Sequence, residues 1–71
     1  MMSDGDLENW FTHHPPTHSQ VPQFGAIRAA ALAFARVVVE HTPASADQTA
    51  ALRKIREAVM TANASIACGG K

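Results

Sequence analysis

Hydrophobic residues recur at helical spacing in two stretches of the chain, separated by a short break that contains a proline. Within each stretch the apolar positions alternate in steps of three and four residues, which is the period of one helix face. They are Phe24, Ile27, Ala31, Phe34 and Val38 in the first stretch, and Leu52, Ile55, Val59, Ala62 and Ile66 in the second. This pattern predicts two amphipathic helices whose apolar seams pack against each other.

Two pairs of polar residues mark where the helices begin. Thr17 precedes Gln20, and Ser45 precedes Gln48, with the three-residue spacing of a capping box. In such a box the hydroxyl accepts a hydrogen bond from an amide of the first turn, and the glutamine reaches back to the capping residue. Each pair therefore predicts a helix start.

Proline and glycine set the expected helix ends. Pro43 interrupts the first helix, and the glycines near the C-terminus can end the second. We predict helices over residues 23–41 and 46–68, after a segment 1–22 that holds a short helix and a connector, with all 71 residues in one domain. Because the long helices are joined by a short connection, they must run antiparallel. The expected fold class is all-α, an antiparallel helical hairpin with a short N-terminal helix.

Composition indicates that this hairpin associates with copies of itself. Apolar residues make up 46% of the chain and charged residues 17%, whereas soluble domains average about 25% charged residues. The first helix also carries Leu32, Val37 and Val39 outside its seam. An apolar arc this wide is typical of an interface, so we expect an obligate homo-oligomer. The alternative is a loosely packed monomer.

Charge and residue usage exclude several kinds of partner. Six Lys and Arg balance six Asp and Glu, so the chain lacks the basic excess with which proteins grip DNA or RNA polymers. No run approaches about 18 uninterrupted apolar residues, so no membrane partner is expected. Cys68 is the single cysteine, which rules out an intramolecular disulfide and favours a reducing compartment such as the cytoplasm.

Patterns of catalytic and metal-binding residues are missing from the sequence. His13, His14 and His18 are possible zinc ligands, but no acidic or cysteine ligand lies at a recognised spacing from them. No His and Asp arrangement identifies Cys68 as a nucleophile, and there is no carboxylate pair or Gly-rich phosphate loop. We expect neither an enzyme nor a bound metal or other cofactor.

Two groups of residues are candidates for ligand binding. Trp10, Phe11, His13 and His14 form an aromatic and imidazole cluster beside two prolines, and planar side chains on a stiff loop can hold a nucleobase. The alternative for Trp10 and Phe11 is that they cap one end of the hydrophobic core.

The second group lies on one strip of the second long helix and comprises Arg53, Arg56, Met60 and Asn63. Guanidinium groups match phosphate and stack on planar rings, so this strip predicts a site for a small anion. A solvated helix face with an Arg to Glu pair between protomers is the alternative.

Two segments of the sequence resemble a known family. They are ENWFTHHPP, residues 8–16, and TPASADQTAALRKIREAVMTANASIACG, residues 42–69. Both are similar to phage-encoded anti-CBASS sponges, which share a helical hairpin domain with one class of anti-Thoeris sponges. Members are small α-helical hexamers, each a trimer of dimers, that sequester cyclic oligonucleotide messengers without cleaving them. The resemblance implies an immune-evasion protein that keeps the activator from CBASS effectors in the cytoplasm of the infected bacterial host.

The resemblance also implies where ligands bind. Cyclic dinucleotides lie between two protomers in the family, and cyclic trinucleotides lie where three protomers meet. The family aromatic that stacks on a base corresponds to His13, which offers a smaller face and no phenolic hydroxyl, and the basic residue near the phosphates corresponds to Arg28. Arg56 and Asn63 lie in the best-matching run and are, with Arg53, the candidates for the trinucleotide pocket.

A second function remains as the alternative, a helical oligomeric scaffold that docks a host or phage protein. An enzyme that degrades the same messengers is disfavoured, because phosphodiester hydrolysis needs a metal pair or a positioned base and nucleophile.

Overall fold

The computed structural model describes residues 2–71, which form three α-helices: α1 (Asp4–Phe11), α2 (Val21–His41) and α3 (Ala46–Ala67). No strand occurs in this part of the chain. α2 and α3 pack against each other as a helical hairpin, and α1 precedes them. The all-α prediction, a hairpin with a short N-terminal helix, is confirmed.

Short-range hydrogen bonds explain why each helix begins where it does. The Ser3 hydroxyl accepts from the Asp6 amide and the Asp6 carboxylate accepts from the Ser3 amide, both at 3.1 Å, a complete capping box that starts α1. At α3, the Ser45 hydroxyl accepts from the Gln48 amide at 3.1 Å, as predicted. The Gln48 side chain donates instead to the carbonyl and hydroxyl of Thr42, so only half of the second box forms.

Before α2 also only half of the predicted box forms, but here it is the half made by the glutamine. The Gln20 side chain accepts from the Thr17 amide at 3.0 Å, but the Thr17 hydroxyl pairs with that of Ser19 rather than with the helix. α2 then begins at Val21, two residues before the predicted start at 23, because Pro22 fits the first turn of a helix, where an amide hydrogen is not needed.

The seam between α2 and α3 agrees with the periodicity except at one position. The predicted α3 positions are all half-buried, whereas Phe34 on α2 is 59% exposed and Ala35 is half-buried in its place. Ala31 and Val38 are two turns apart, so either the third or the fourth residue after Ala31 lies near the seam. The prediction of Phe34 was wrong because the small side chain of Ala35 takes the inner position and Phe34 turns to the flank.

None of residues 2–71 is fully buried in the single protomer. Its accessible surface is 5661 Å², whereas a compact monomer of this mass has about 4,300 Å². Its radius of gyration is 15.2 Å, against about 11 Å for a globular chain of this length. The large exposed apolar residues are Met2, Leu7, Trp10, Phe11, Val21, Leu32, Phe34, Val37, Val39 and Met60. The single hairpin thus exposes the large apolar side chains that a compact monomer would bury in its core.

By length and composition alone, α2 is also able to cross a membrane, the one helix of residues 2–71 that passes this test. The expectation of no membrane partner rested on a stricter criterion, an uninterrupted run of apolar residues. α2 does not meet that criterion because Arg28 and Arg36 interrupt it. The core helix of a soluble protein passes the broader test equally.

Candidate functional site

The candidate site lies at the open end of the hairpin, where α1 meets the last turn of α3. Three side chains of the N-terminal part donate hydrogen bonds to carbonyls there. Asn9 Nδ2 donates to Cys68 at 3.2 Å, Trp10 Nε1 to Lys71 at 3.0 Å, and Gln20 Nε2 to Ile66 at 3.2 Å. These contacts join residues that are distant in sequence and bring α1 and the connector against α3.

The end of α3 is built to accept such donors. Gly69 and Gly70 have φ values of 67° and 78°, a left-handed conformation that most residues avoid. The Gly70 amide turns back to the Ser65 carbonyl at 2.8 Å, which closes the helix in the manner of a glycine C-cap. The last turn carries no basic residue. Of the three donors, only Gln20 reaches a carbonyl within α3, and the other two reach carbonyls just beyond its end.

A groove of about 520 Å³ runs along α1 and the last turns of α3. Phe11 and Trp10 form one side, and they are 83% and 52% exposed. The residues on the other side are Met60, Thr61, Ala64, Ser65, Cys68, Gly70 and Lys71. Within the protomer the two aromatic residues therefore do not cap a core, and at least half of the surface of each is accessible to solvent.

The connector places its two candidate histidines differently. His14 is half-buried, and its Nε2 is hydrogen-bonded to the Asn9 carbonyl. His13 is exposed. Of the two rings, that of His13 is therefore the one that can turn to a ligand without breaking an internal contact, while His14 helps to hold the connector.

The remaining candidate residues lie along the long helices. Arg28, Arg53 and Arg56 are all exposed. Asn63 is half-buried, and its Oδ1 is enclosed without a hydrogen-bond partner among residues 2–71. Of the seven predicted site residues, Phe11 alone lines the groove. A single described protomer does not gather the others around that cavity.

The sequence interpretation missed part of the groove wall. Thr61, Ser65 and Lys71 line it, and none of them was among the candidates chosen from the sequence. These residues line the groove because α1 and the connector fold back against α3, an arrangement held by the three long-range hydrogen bonds. No local sequence pattern indicates it. Within residues 2–71, no group of three or more His, Cys, Asp or Glu side chains is placed to hold a metal ion.

Comparison with known families assigns this architecture. The family described as "Acb2/Tad1, hairpin domain" matches residues 3–67. The chain belongs to the Acb2/Tad1 family. This is the family of anti-CBASS and anti-Thoeris sponges, so the resemblance seen in the sequence is confirmed. No match was found among curated proteins or among solved structures.

The extent of the match shows which helices make up the Acb2/Tad1 domain in this chain. It begins at Ser3, the residue that caps α1, and ends at Ala67, the last residue of α3. α1 is therefore part of the family domain rather than an appendage to the hairpin. Membership of the Acb2/Tad1 family fits a sponge role in general.

Proposed function

We propose that this protein sequesters cyclic oligonucleotide second messengers, both cyclic dinucleotides and cyclic trinucleotides, and releases them unchanged. In the cytoplasm of an infected bacterium this binding withholds the activator of CBASS effectors. The observation that carries the proposal is the match to the Acb2/Tad1 hairpin domain, which extends over all three helices.

The accessible side chains suit such a ligand. A cyclic oligonucleotide presents planar bases and a ring of phosphates. Phe11 and His13 offer exposed planar groups near the connector, and Arg28 lies in the second turn of α2, which follows it. Guanidinium groups bind phosphate oxygens through charge-assisted hydrogen bonds, and exposed rings can stack on bases. We assign Arg53, Arg56 and Asn63 on α3 to the trinucleotide pocket, with His14 as a support for the dinucleotide site.

The proposed assembly is a homo-hexamer, a trimer of dimers, with pockets between protomers. The protomer exposes about 1,400 Å² more surface than a compact monomer of its mass, whereas each partner in a stable interface buries about 800 Å². The surplus thus allows more than one interface for each protomer. Pockets between copies also account for candidate residues that a single protomer leaves apart.

Binding without turnover separates a sponge from an enzyme. The protein is incubated with each of a panel of cyclic di- and trinucleotides, freed of unbound ligand, and denatured by heat. A sponge depletes the ligand and yields it intact after heating. A cleaved nucleotide would identify an enzyme instead, and failure to deplete any member of the panel would reject the proposal.

A helical scaffold that docks a host or phage protein is the second candidate. The observation that favours it is the groove, because its Trp10, Phe11 and Met60 walls are apolar and exposed. Side chains of this kind are enriched where proteins bind each other. The same depletion experiment decides between the two functions, since a scaffold leaves every cyclic nucleotide in solution.

A further inference from the structure

The connector between α1 and α2, residues 12–20, is held against the C-terminal end of α3 from two sides. Before the connector, Asn9 Nδ2 of α1 donates to the Cys68 carbonyl, and at its last position Gln20 Nε2 donates to the Ile66 carbonyl, each at 3.2 Å. Both hydrogen bonds are partly buried. One residue before the connector and one at its end therefore meet nearby carbonyls at the same helix end.

Each of these two residues also holds a second part of the connector. The Asn9 carbonyl is hydrogen-bonded to His14 Nε2 and accepts from the Cys68 thiol, whose Sγ lies at 3.8 Å. The Gln20 Oε1 accepts from the Thr17 amide at 3.0 Å. Asn9 and Gln20 are thus two junctions, and each joins α3 to the loop that lies between them.

Between the junctions the loop has little freedom of its own. Pro15 and Pro16 each fix one backbone dihedral, and the residue before a proline is restricted as well. A loop that is stiff in the middle and held at both ends keeps its exposed residues in one arrangement. His13 is exposed and lies inside this held loop.

We propose that Asn9 and Gln20 are positioning residues that pre-organise the connector for the cyclic oligonucleotide. They touch α3 rather than the ligand, and they act through His13. This inference rests on the proposed function. Its physical basis is that the apparent dissociation constant is inversely proportional to the fraction of the protein that is in the binding-competent conformation.

Near-isosteric acids test the two junctions. Gln20→Glu keeps a side-chain oxygen for the Thr17 amide but loses the donor to the Ile66 carbonyl, and Asn9→Asp loses the donor to Cys68 in the same way. Gln23→Glu is the matched control, because Gln23 is exposed in the first turn of α2 and undergoes the same change of charge.

The first measurement is calorimetric affinity with 3′,3′-cyclic GMP–AMP as the probe. We expect Gln20→Glu and Asn9→Asp to weaken binding about tenfold, as when the competent fraction falls to roughly one tenth. Gln23→Glu should stay within about twofold of the wild type, since exposed substitutions of this kind have small effects. Circular dichroism should show equal helicity in all four proteins. Equal affinity in the folded junction variants would overturn the positioning role.

The second measurement needs no ligand. Trp10 is the sole tryptophan, and its Nε1 lies 3.0 Å from the Lys71 carbonyl in the region that the junctions hold together. Acrylamide should quench its fluorescence more in the two junction variants than in the control, and saturating probe should restore the wild-type value. A lasting difference at saturation would indicate general damage to the fold and overturn the proposal.

The two measurements separate the inference from the function on which it rests. If the wild type binds neither this probe nor any of the panel, the proposed function fails, while the quenching of the free proteins still decides whether the junctions hold the connector. Gln20→Met and Asn9→Leu remove the donors without adding charge, and they replace the acids if those lower the helicity. Quenching equal to that of the control in all junction variants would show that the connector does not depend on them.

Discussion

At the closed end of the hairpin, hydrogen bonds connect neighbours in sequence, whereas at the open end they connect the two halves of the chain. The Thr42 hydroxyl donates to Val38, and the amide of Gln48 reaches Ser45 only three residues back. At the open end, Asn9 and Cys68 are 59 residues apart, and Gln20 and Ile66 are 46 apart. The hydrogen bonds of the closed end can therefore form between local residues alone. Those of the open end can form only after the hairpin has brought the two halves of the chain together.

The two ends also differ in whether their residues are expected to affect the stability of the fold or the binding of a ligand. The hydrogen bonds of Thr42, Ser45 and Gln48 at the closed end stabilise helix termini, and no candidate ligand residue lies in the turn between α2 and α3. The open end brings together an exposed aromatic pair, the held connector and the start of α2. We therefore expect substitutions at the open end to change ligand affinity, and those at the closed end to change only the free energy of unfolding.

The largest expected effect is on phosphate binding near the open end. Arg28→Ala should weaken cyclic dinucleotide binding more than about tenfold, because charge-assisted contacts are worth about 1.5–3 kcal/mol. Arg36→Ala is the control, since Arg36 is also exposed on α2 but lies toward the closed end. Calorimetry on both variants measures the difference. A loss of affinity equal in the two variants would mean that position along α2 does not matter.

The next effect in size concerns the residue that we propose to stack on a base. His13→Ala should cost about 1–3 kcal/mol of binding free energy, whereas His13→Tyr should preserve or strengthen it, because a phenol ring presents a larger face. His18→Ala serves as the control, as His18 is an exposed histidine of the same connector. Unchanged affinity of His13→Ala for every dinucleotide tested would leave the stacking to another ring, with Phe11 the first to examine.

The local features of the molecule could be predicted from the sequence, whereas the long-range contacts of the open end could not. Periodicity and capping spacing predicted the two long helices and the Ser45 cap, because those signals act over a few residues. The contacts of Asn9, Trp10 and Gln20 with the C-terminal end of the chain depend on how α1 and the connector fold back on α3, and they leave no pattern in the sequence. Phe34 was assigned to the seam because spacing alone does not decide between the third and fourth residue of a turn. His13 belonged to the aromatic and imidazole cluster, whereas its specific stacking role and the choice of Arg28 came from the family resemblance, and both roles stay predictions.

Backbone conformation at the open end should contribute a moderate effect on stability. Gly69→Ala should lower the free energy of unfolding by about 1–2 kcal/mol, because a side chain at positive φ clashes with the following carbonyl. Gly5→Ala is the control: its φ is not positive, and the nearest atom to its added Cβ would be Ser3 Oγ at an ordinary 3.7 Å. Denaturant unfolding at equal protomer concentration compares them. If both alanines have the same effect, the left-handed turn is not needed.

A smaller effect is expected at the closed end. Ser45→Ala removes the acceptor for the Gln48 amide and should cost about 1 kcal/mol, whereas Ser45→Asp should retain the stability because aspartate also caps helices. Ligand affinity should be the same in both variants once they are folded. A folded Ser45→Ala variant with weakened binding would contradict the separation of the two ends.

The smallest effect concerns Gly25, which lies in α2 between the open end and Arg28. Glycine inside a helix is about 1 kcal/mol less favourable than alanine, and among the described residues no atom outside its own helix lies within 4 Å of an added Cβ. Within the protomer, Gly25→Ala should therefore raise the free energy of unfolding by about 0.5–1 kcal/mol. The assembly adds a second readout, because light scattering reports whether the variant keeps the wild-type size. A smaller assembly together with a more stable helix would place another copy directly against Gly25, and would make the open end of α2 part of an interface between protomers.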